Sequence, residues 1–204
     1  MPMLFDVCSE AVYASPAEGG AQTALATVAR RLGKQATFFV AKRACPHART
    51  LEAARLGGKV VSVEPGYISV VHTRAREYRA RTGARLVPFG VDMPEAIETT
   101  AAAARSTGVE PDEVWCATGS GVLTRALASA WPKARGCVVQ VGRTLSPKDV
   151  SGAEIFVHPL PFGRECRVKS PFPSDPRAWE ICAARKGPGR VLFWNVARSA
   201  VLSQ

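Results

Sequence analysis

The strongest constraint on this chain is the regular alternation of short apolar runs with longer helical stretches. Phe5 to Tyr13, Ala36 to Ala41, Lys59 to Val63, Arg85 to Pro88, Glu113 to Cys116 and Gly136 to Val141 have strand character. Between them, Ala21 to Leu32, Ala48 to Leu56, Ile68 to Thr82, Pro94 to Ser106 and Gly121 to Ala130 have helical spacing. Gly33, Gly57 and Gly83 stand where those helices should stop, and Pro94 stands where one should begin. Such alternation predicts an α/β protein, with a parallel sheet covered on both faces in a three-layer αβα arrangement. Ligands in such folds bind at the carboxyl ends of the strands.

The pattern changes after residue 144. Leu145 to Pro176 is rich in proline and turn residues, with Ile155-Phe156-Val157 as one short strand. Arg177 to Arg185 reads as a helix and Arg190 to Val196 as a closing strand. The expected organisation is therefore an α/β core over 1–144, a loop-rich segment over 145–189, and a closing strand and tail over 190–204. No internal repeat is visible.

No apolar run approaches the roughly 20 residues a membrane helix needs, and the N-terminus lacks the basic-then-apolar pattern of a signal peptide. A cytoplasmic protein without membrane contact is expected. The six cysteines are scattered without a C-x-x-C pair, so buried reduced thiols are expected rather than a zinc site or a disulfide framework. No metal site is expected. His47, His72 and His158 show no partner spacing, and no nucleophile–base–acid set is visible. Lysine and arginine outnumber acids 27 to 17, giving a net charge of +10. That field suits phosphates, anionic substrates or nucleic acid.

Four segments have local chemistry. In Glu113 to Thr124 an apolar strand runs into Thr118-Gly119-Ser120-Gly121 and then directly into a helix at Val122 and Leu123. Glycines permit a sharp turn, and a helix N-terminus offers amides and a favourable dipole to an anion. Hydroxyls of Thr118, Ser120 and Thr124 could add donors. The alternative is a plain strand-to-helix turn. In Ala14 to Thr23, Ser15 and Gln22 stand where a ligand carboxylate could sit, although capping by Ser15 or Thr23 explains the same residues. Val87-Pro88-Phe89-Gly90 could line a flat ring or simply pack. Leu192-Phe193-Trp194-Asn195 presents an amide at a strand end.

In this order, the four segments resemble pyridoxal-phosphate (PLP) enzymes of fold type II, the tryptophan synthase β family. They are most similar to its aminocyclopropane-carboxylate deaminase and D-cysteine desulfhydrase branch. Ser15 to Gly33 resembles the substrate loop and following helix. Arg55 to Val63 resembles a family strand, Ala84 to Gly90 the segment ending at the active-site wall, and Thr118 to Leu123 the phosphate loop. Leu192 to Asn195 resembles the closing strand. The resemblance implies a reduced fold type II architecture that binds PLP and acts on an amino acid or amine as a lyase, deaminase or decarboxylase. Thr118, Gly119, Ser120, Gly121, Val122, Leu123 and Asn195 would then hold the cofactor. Ser15, Gln22, Tyr13, Tyr67, Phe89 and Gly90 would line the substrate side. A homodimer is implied.

Two departures stand out. The family's cofactor-bearing lysine precedes the substrate loop, whereas the first lysine here is Lys34, leaving Lys42 as a conceivable substitute. The closing strand continues as Asn195-Val196-Ala197 rather than His-Thr-Gly-Gly. Short relatives of this kind resemble phage-encoded proteins, which suggests an amine substrate carried on modified DNA, gripped by Arg74, Arg76, Arg79 and Arg81. The alternative is a catalytically degenerate domain that binds a phosphometabolite or nucleic acid without PLP chemistry.

Overall fold

A computed structural model describes residues 2–16, 19–64, 66–142, 144–160, 166, 168–172 and 174–195. They form two compact units, one up to Glu95 and one from Ala96 onward. Each unit holds a four-stranded, wholly parallel sheet.

The first unit comprises α1 (Pro2–Phe5), β1 (Glu10–Ser15), α2 (Ala21–Arg31), β2 (Gln35–Ala41), α3 (Ala48–Arg55), β3 (Lys59–Val63), α4 (Ile68–Thr82) and β4 (Arg85–Val87), in strand order β3-β2-β1-β4. Side chains alternate across the sheet. Val12, Ala14, Phe39 and Val63 pack with Val71 and Ala75 of α4. Phe38 lies on the opposite face: a side chain at Gly58, just beyond α3, would place its Cβ 2.5 Å from the Phe38 ring and 2.9 Å from the Ala53 carbonyl. The layers are thus helix, sheet, helix. Burying one Val or Phe of this kind contributes about 1.5–3 kcal/mol.

The second unit comprises most of α5 (Pro94–Arg105), then β5 (Glu113–Thr118), α6 (Val122–Ala130), β6 (Arg135–Gln140), β7 (Glu154–Val157), α7 (Pro176–Arg185) and β8 (Val191–Trp194), in order β7-β6-β5-β8. Val114, Cys116 and Val138 face α5 and α6 through Ala101, Ala104, Leu127 and Ala130. Trp115, Cys137 and Val139 face α7 through Ala178 and Cys182.

Renumbered within each unit, both strand orders are 3-2-1-4, so the fold contains a repeat that the sequence hides. The copies differ at one crossover. α3 joins β2 to β3, whereas among the described residues β6 reaches β7 through the 3₁₀ turn Pro147–Val150. Pro147 opens that turn, and Ser146 and Asp149 cap it reciprocally.

The sequence pattern placed the first strand at Phe5 to Tyr13. The structure instead forms α1 over Pro2–Phe5 and starts β1 at Glu10. Leu4 and Phe5 are buried, and so short an apolar run fits a buried helical turn as well as a strand. The closing strand ends at Trp194, and Val196 lies outside the described residues.

All six cysteines are unpaired. Cys116, Cys137 and Cys182 are buried as expected, but Cys45 is exposed and Cys8 and Cys166 are half-buried. Burial pushes the Cys116 and Cys137 thiols up to about 12 and Cys182 to about 11. Because the thiolate is the nucleophile, iodoacetamide at mildly alkaline pH should label Cys45 and spare these three until denaturant is added. Peptide mass mapping reads the order; early labelling of Cys116 would show an open core.

Candidate functional site

In a 3-2-1-4 parallel sheet the chain leaves strand 1 toward one edge and returns from strand 3 to the other side of strand 1. That reversal of direction is a topological switch point, and ligands of open α/β sheets generally bind at the carboxyl ends of the strands beside one. In the first unit that switch point lies between β1 and β4, and in the second between β5 and β8. Ser15 ends β1 and Phe89-Gly90 follow β4. Thr118 ends β5 and Asn195 follows β8. The topology thus places most of the candidate residues at the switch point of their own unit.

In the second unit, Gly121 adopts a left-handed conformation (φ +85°) at the start of α6. Its amide donates to Thr118 Oγ1 at 3.2 Å, which pins the turn. The amides of Val122, Leu123 and Thr124 come next, and helix geometry gives them no intrahelical acceptor. Together with the positive helix end they form an anion-binding arrangement. Ser120 is half-buried. The Thr124 hydroxyl is used elsewhere: it lies 3.7 Å from Cys116 Sγ, buried within the fold.

The glycines are required by the protein's own packing. A Cβ on Gly121 would sit 2.0 Å from the Asp149 carbonyl oxygen, and one on Gly119 would sit 2.9 Å from the Val141 carbonyl oxygen. The 3₁₀ turn that replaces a crossover helix thereby closes one side of the phosphate-type turn. Asn195 is exposed, one residue beyond the Cys116–Trp194 register pair.

In the first unit, Ser15 and Gln22 are both buried, and both donate to the Pro16 carbonyl, at 2.8 and 3.0 Å. They brace the turn between β1 and α2. The Thr23 hydroxyl donates to the Gly20 carbonyl, and no side chain caps the start of α2. Tyr13 is buried, and its hydroxyl accepts the Gly90 amide at 3.2 Å. Burial pushes the Tyr13 phenol up, with the Gly90 hydrogen bond pulling the other way. That bond holds a strained loop: Gly90 has φ +70° and Val91 φ +56°, the latter an outlier for a β-branched residue.

Phe89 is 43% exposed and meets the edge of His72, with ring centroids 6.0 Å apart. Burial and neighbouring Arg76 hold His72 below its ordinary value. Tyr67 and Lys42 share the carboxyl edge but follow β3 and β2, away from the switch point. Tyr67 is 71% exposed. Lys42 pairs with Glu64 at 2.6 Å on the surface.

Two further placements matter. Arg74, Arg76, Arg79 and Arg81 are all exposed along α4. Arg74 pairs with Glu77 at 2.8 Å, and Arg74 and Arg81 line a hollow beside edge strand β3 that also contains Glu64 and Glu77. His158 has a partner that the sequence did not suggest: it and Cys166 both contact the Glu180 carboxylate.

The architecture is that of an α/β protein of two parallel-sheet units, each with a topological switch point at the carboxyl ends of its strands. Solved structures share it. The chain superposes on a crystal structure of an aminocyclopropane-carboxylate (ACC) deaminase homologue with a TM-score of 0.72 and 14% identity, covering 93% of this chain and 74% of that one. For a threonine deaminase from T.th. the values are 0.56, 20%, 94% and 63%. For the Escherichia coli diaminopropionate ammonia lyase complexed with an aminoacrylate-PLP azomethine intermediate they are 0.52, 17%, 87% and 50%. At these identities the likeness establishes the fold alone, an α/β architecture of parallel sheets shared with these solved enzymes. The chain spans well under two thirds of some relatives, down to 39% of a processed threonine deaminase from Solanum lycopersicum. No protein-family description and no curated protein matches it. Among the described residues, no helix is long and apolar enough to cross a membrane.

Proposed function

We propose that this chain binds PLP by its phosphate and acts on an amino acid or amine by elimination, deamination or decarboxylation. The observation that carries this reading is the glycine turn at the second unit's switch point, with Thr118 fixing Gly121 so that the first amides of α6 are presented together. Those amides and the helix dipole fit a phosphate dianion. Thr118 and Gly121 set the turn, Val122 and Leu123 supply amides, and Ser120 supplies a hydroxyl. Asn195, beyond β8, is assigned to the ring nitrogen. When bound, PLP supplies the electron sink.

Ser15 and Gln22 shape the β1–α2 turn assigned to the substrate carboxylate. Tyr13 and Gly90 fix the loop that presents Phe89 as a wall for a flat ring, with Tyr67 farther along the same edge. Lys42 could serve as the amine that holds the cofactor only by leaving Glu64. An amine carried on DNA would add the exposed arginines of α4, and binding would then weaken steeply with salt.

A second reading is a domain of the same fold that binds a phosphometabolite or nucleic acid without PLP chemistry. The surface pairing of Lys42 with Glu64 favours it.

Titration of PLP followed by absorbance, with borohydride trapping and peptide mapping, separates the two. Saturable binding is expected. Thr118→Val keeps the side chain's shape but removes the acceptor for the Gly121 amide, and is expected to weaken binding about tenfold, the effect of about 1.4 kcal/mol. Circular dichroism checks that the variant folds. Trapped cofactor on Lys42 would assign that residue, and binding without trapping would mean lysine-free retention. Absence of saturable binding, or binding indifferent to Thr118→Val, would overturn the first reading.

A further inference from the structure

We infer that His158, Cys166 and Glu180 form a binding site for a zinc-class divalent cation, apart from the glycine turn. The three residues come from separate places in the second unit. His158 directly follows β7, Cys166 lies in the connection to α7, and Glu180 lies on α7. His158 Nε2 and Cys166 Sγ each lie 3.1 Å from the same oxygen, Glu180 Oε2, and all three ligand atoms fall within 4.8 Å of one another.

A tetrahedral zinc ion at about 2.0–2.1 Å from N and O and about 2.3 Å from S requires ligand–ligand edges of about 3.3–3.7 Å. Two edges need to open by only a few tenths of an ångström, and the imidazole–thiol edge can close onto the ion. One thiolate, one imidazole and one carboxylate form a borderline-soft donor set, which suits zinc or cobalt rather than calcium or magnesium. The His158 side chain is 5% exposed while Glu180 is 41% exposed, so the ion would have an anchored ring on one side and a solvent-accessible fourth position on the other.

The present hydrogen bonds define what must change. The Leu160 amide donates to Nδ1 at 3.0 Å, so Nε2 carries the ring proton and donates to Glu180, and the Cys166 thiol donates to the same oxygen. On ion entry the thiol proton passes to solvent. The ring proton moves from Nε2 to Nδ1, and the Leu160 amide turns away to leave Nδ1 free to carry it. The three side chains then converge on the ion instead of on Oε2, tying the segment after β7 to α7.

Cobalt(II) added to the metal-free protein tests this. One equivalent should bind with a near-ultraviolet sulfur-to-cobalt charge-transfer band and visible bands of tetrahedral intensity, both bleached by one equivalent of zinc. Cys166→Ser should abolish the charge-transfer band, and His158→Gln should abolish the tetrahedral visible bands. Cys45→Ser, which alters the exposed thiol, should change neither. Circular dichroism confirms that each variant is folded, and zinc should raise the melting temperature of the wild type but not of Cys166→Ser. A spectrum that persists in Cys166→Ser, one that is lost in Cys45→Ser, or absence of stoichiometric binding by the wild type would each overturn the assignment.

Discussion

Gly121→Ala is expected to cost roughly 3–5 kcal/mol of folding free energy, combining the strain of a left-handed L-residue with overpacking. The two contributions separate cleanly in this protein. Gly142 is also left-handed (φ +84°), but a Cβ there would meet nothing within 4 Å, whereas at Gly121 it would lie 2.0 Å from the Asp149 carbonyl oxygen. Gly142→Ala should therefore show only the conformational cost, about 1–2 kcal/mol. Urea denaturation at neutral pH, comparing midpoints at constant slope, reads the difference. Relief of the clash would require the Pro147–Val150 turn to move off α6, so any phosphate binding at the α6 start should be lost together with stability. Equal costs for the two variants would mean that the turn yields freely, and that its closure over Gly121 does not hold the site's shape.

The contrast between these glycines shows where sequence reading stops. Gly119 and Gly121 announced a sharp strand-to-helix turn, and the turn is there. The sequence could not reveal what crowds it, because Asp149 lies 28 residues further along and acts through its backbone. Strands and helices were legible because 2- and 3.6-residue periods are local; Ile68–Thr82 has the boundaries its pattern predicted. The repeated 3-2-1-4 order was not, since topology leaves no residue signature and one crossover helix is exchanged for a 3₁₀ turn. His158 offered no partner because Cys166 and Glu180 lie 8 and 22 positions away, and only the packing of α7 on the second sheet brings them together. Ser15 and Gln22 were legible as polar residues at a strand end, but their shared acceptor, the Pro16 carbonyl, was not.

The largest electrostatic effect is expected at Glu113. This carboxylate is buried at the start of β5. It accepts from Trp115 Nε1, from the Gly187 amide at 3.1 Å and from Arg135 at 2.8 Å. Trp115 is two residues along and so on the same face. Gly187 begins the connection into β8, and Arg135 begins β6 and also pairs with Glu154 at the start of β7. Glu113 thus ties together the entry points of β5, β6 and β8, and Arg135 extends the link to β7. Burial pushes its carboxyl up, but the hydrogen bonds from Trp115, Gly187 and Arg135 more than offset this, leaving it below the usual carboxylate range. Glu113→Ala would strand the buried indole and amide donors and should destabilise by about 3–5 kcal/mol. Glu113→Gln tests the charge. A folded-state value below the unfolded one means that the carboxylate's contribution is full above the ordinary carboxylate range and is lost as pH falls through the depressed value. The stability gap between wild type and Glu113→Gln should therefore be widest at neutral pH and narrow under acid, where a protonated Glu113 resembles the amide. Urea midpoints measured for both proteins from neutral to acidic pH give the answer. A gap that stays constant across that range would show that the charge contributes nothing and that the site holds by shape alone.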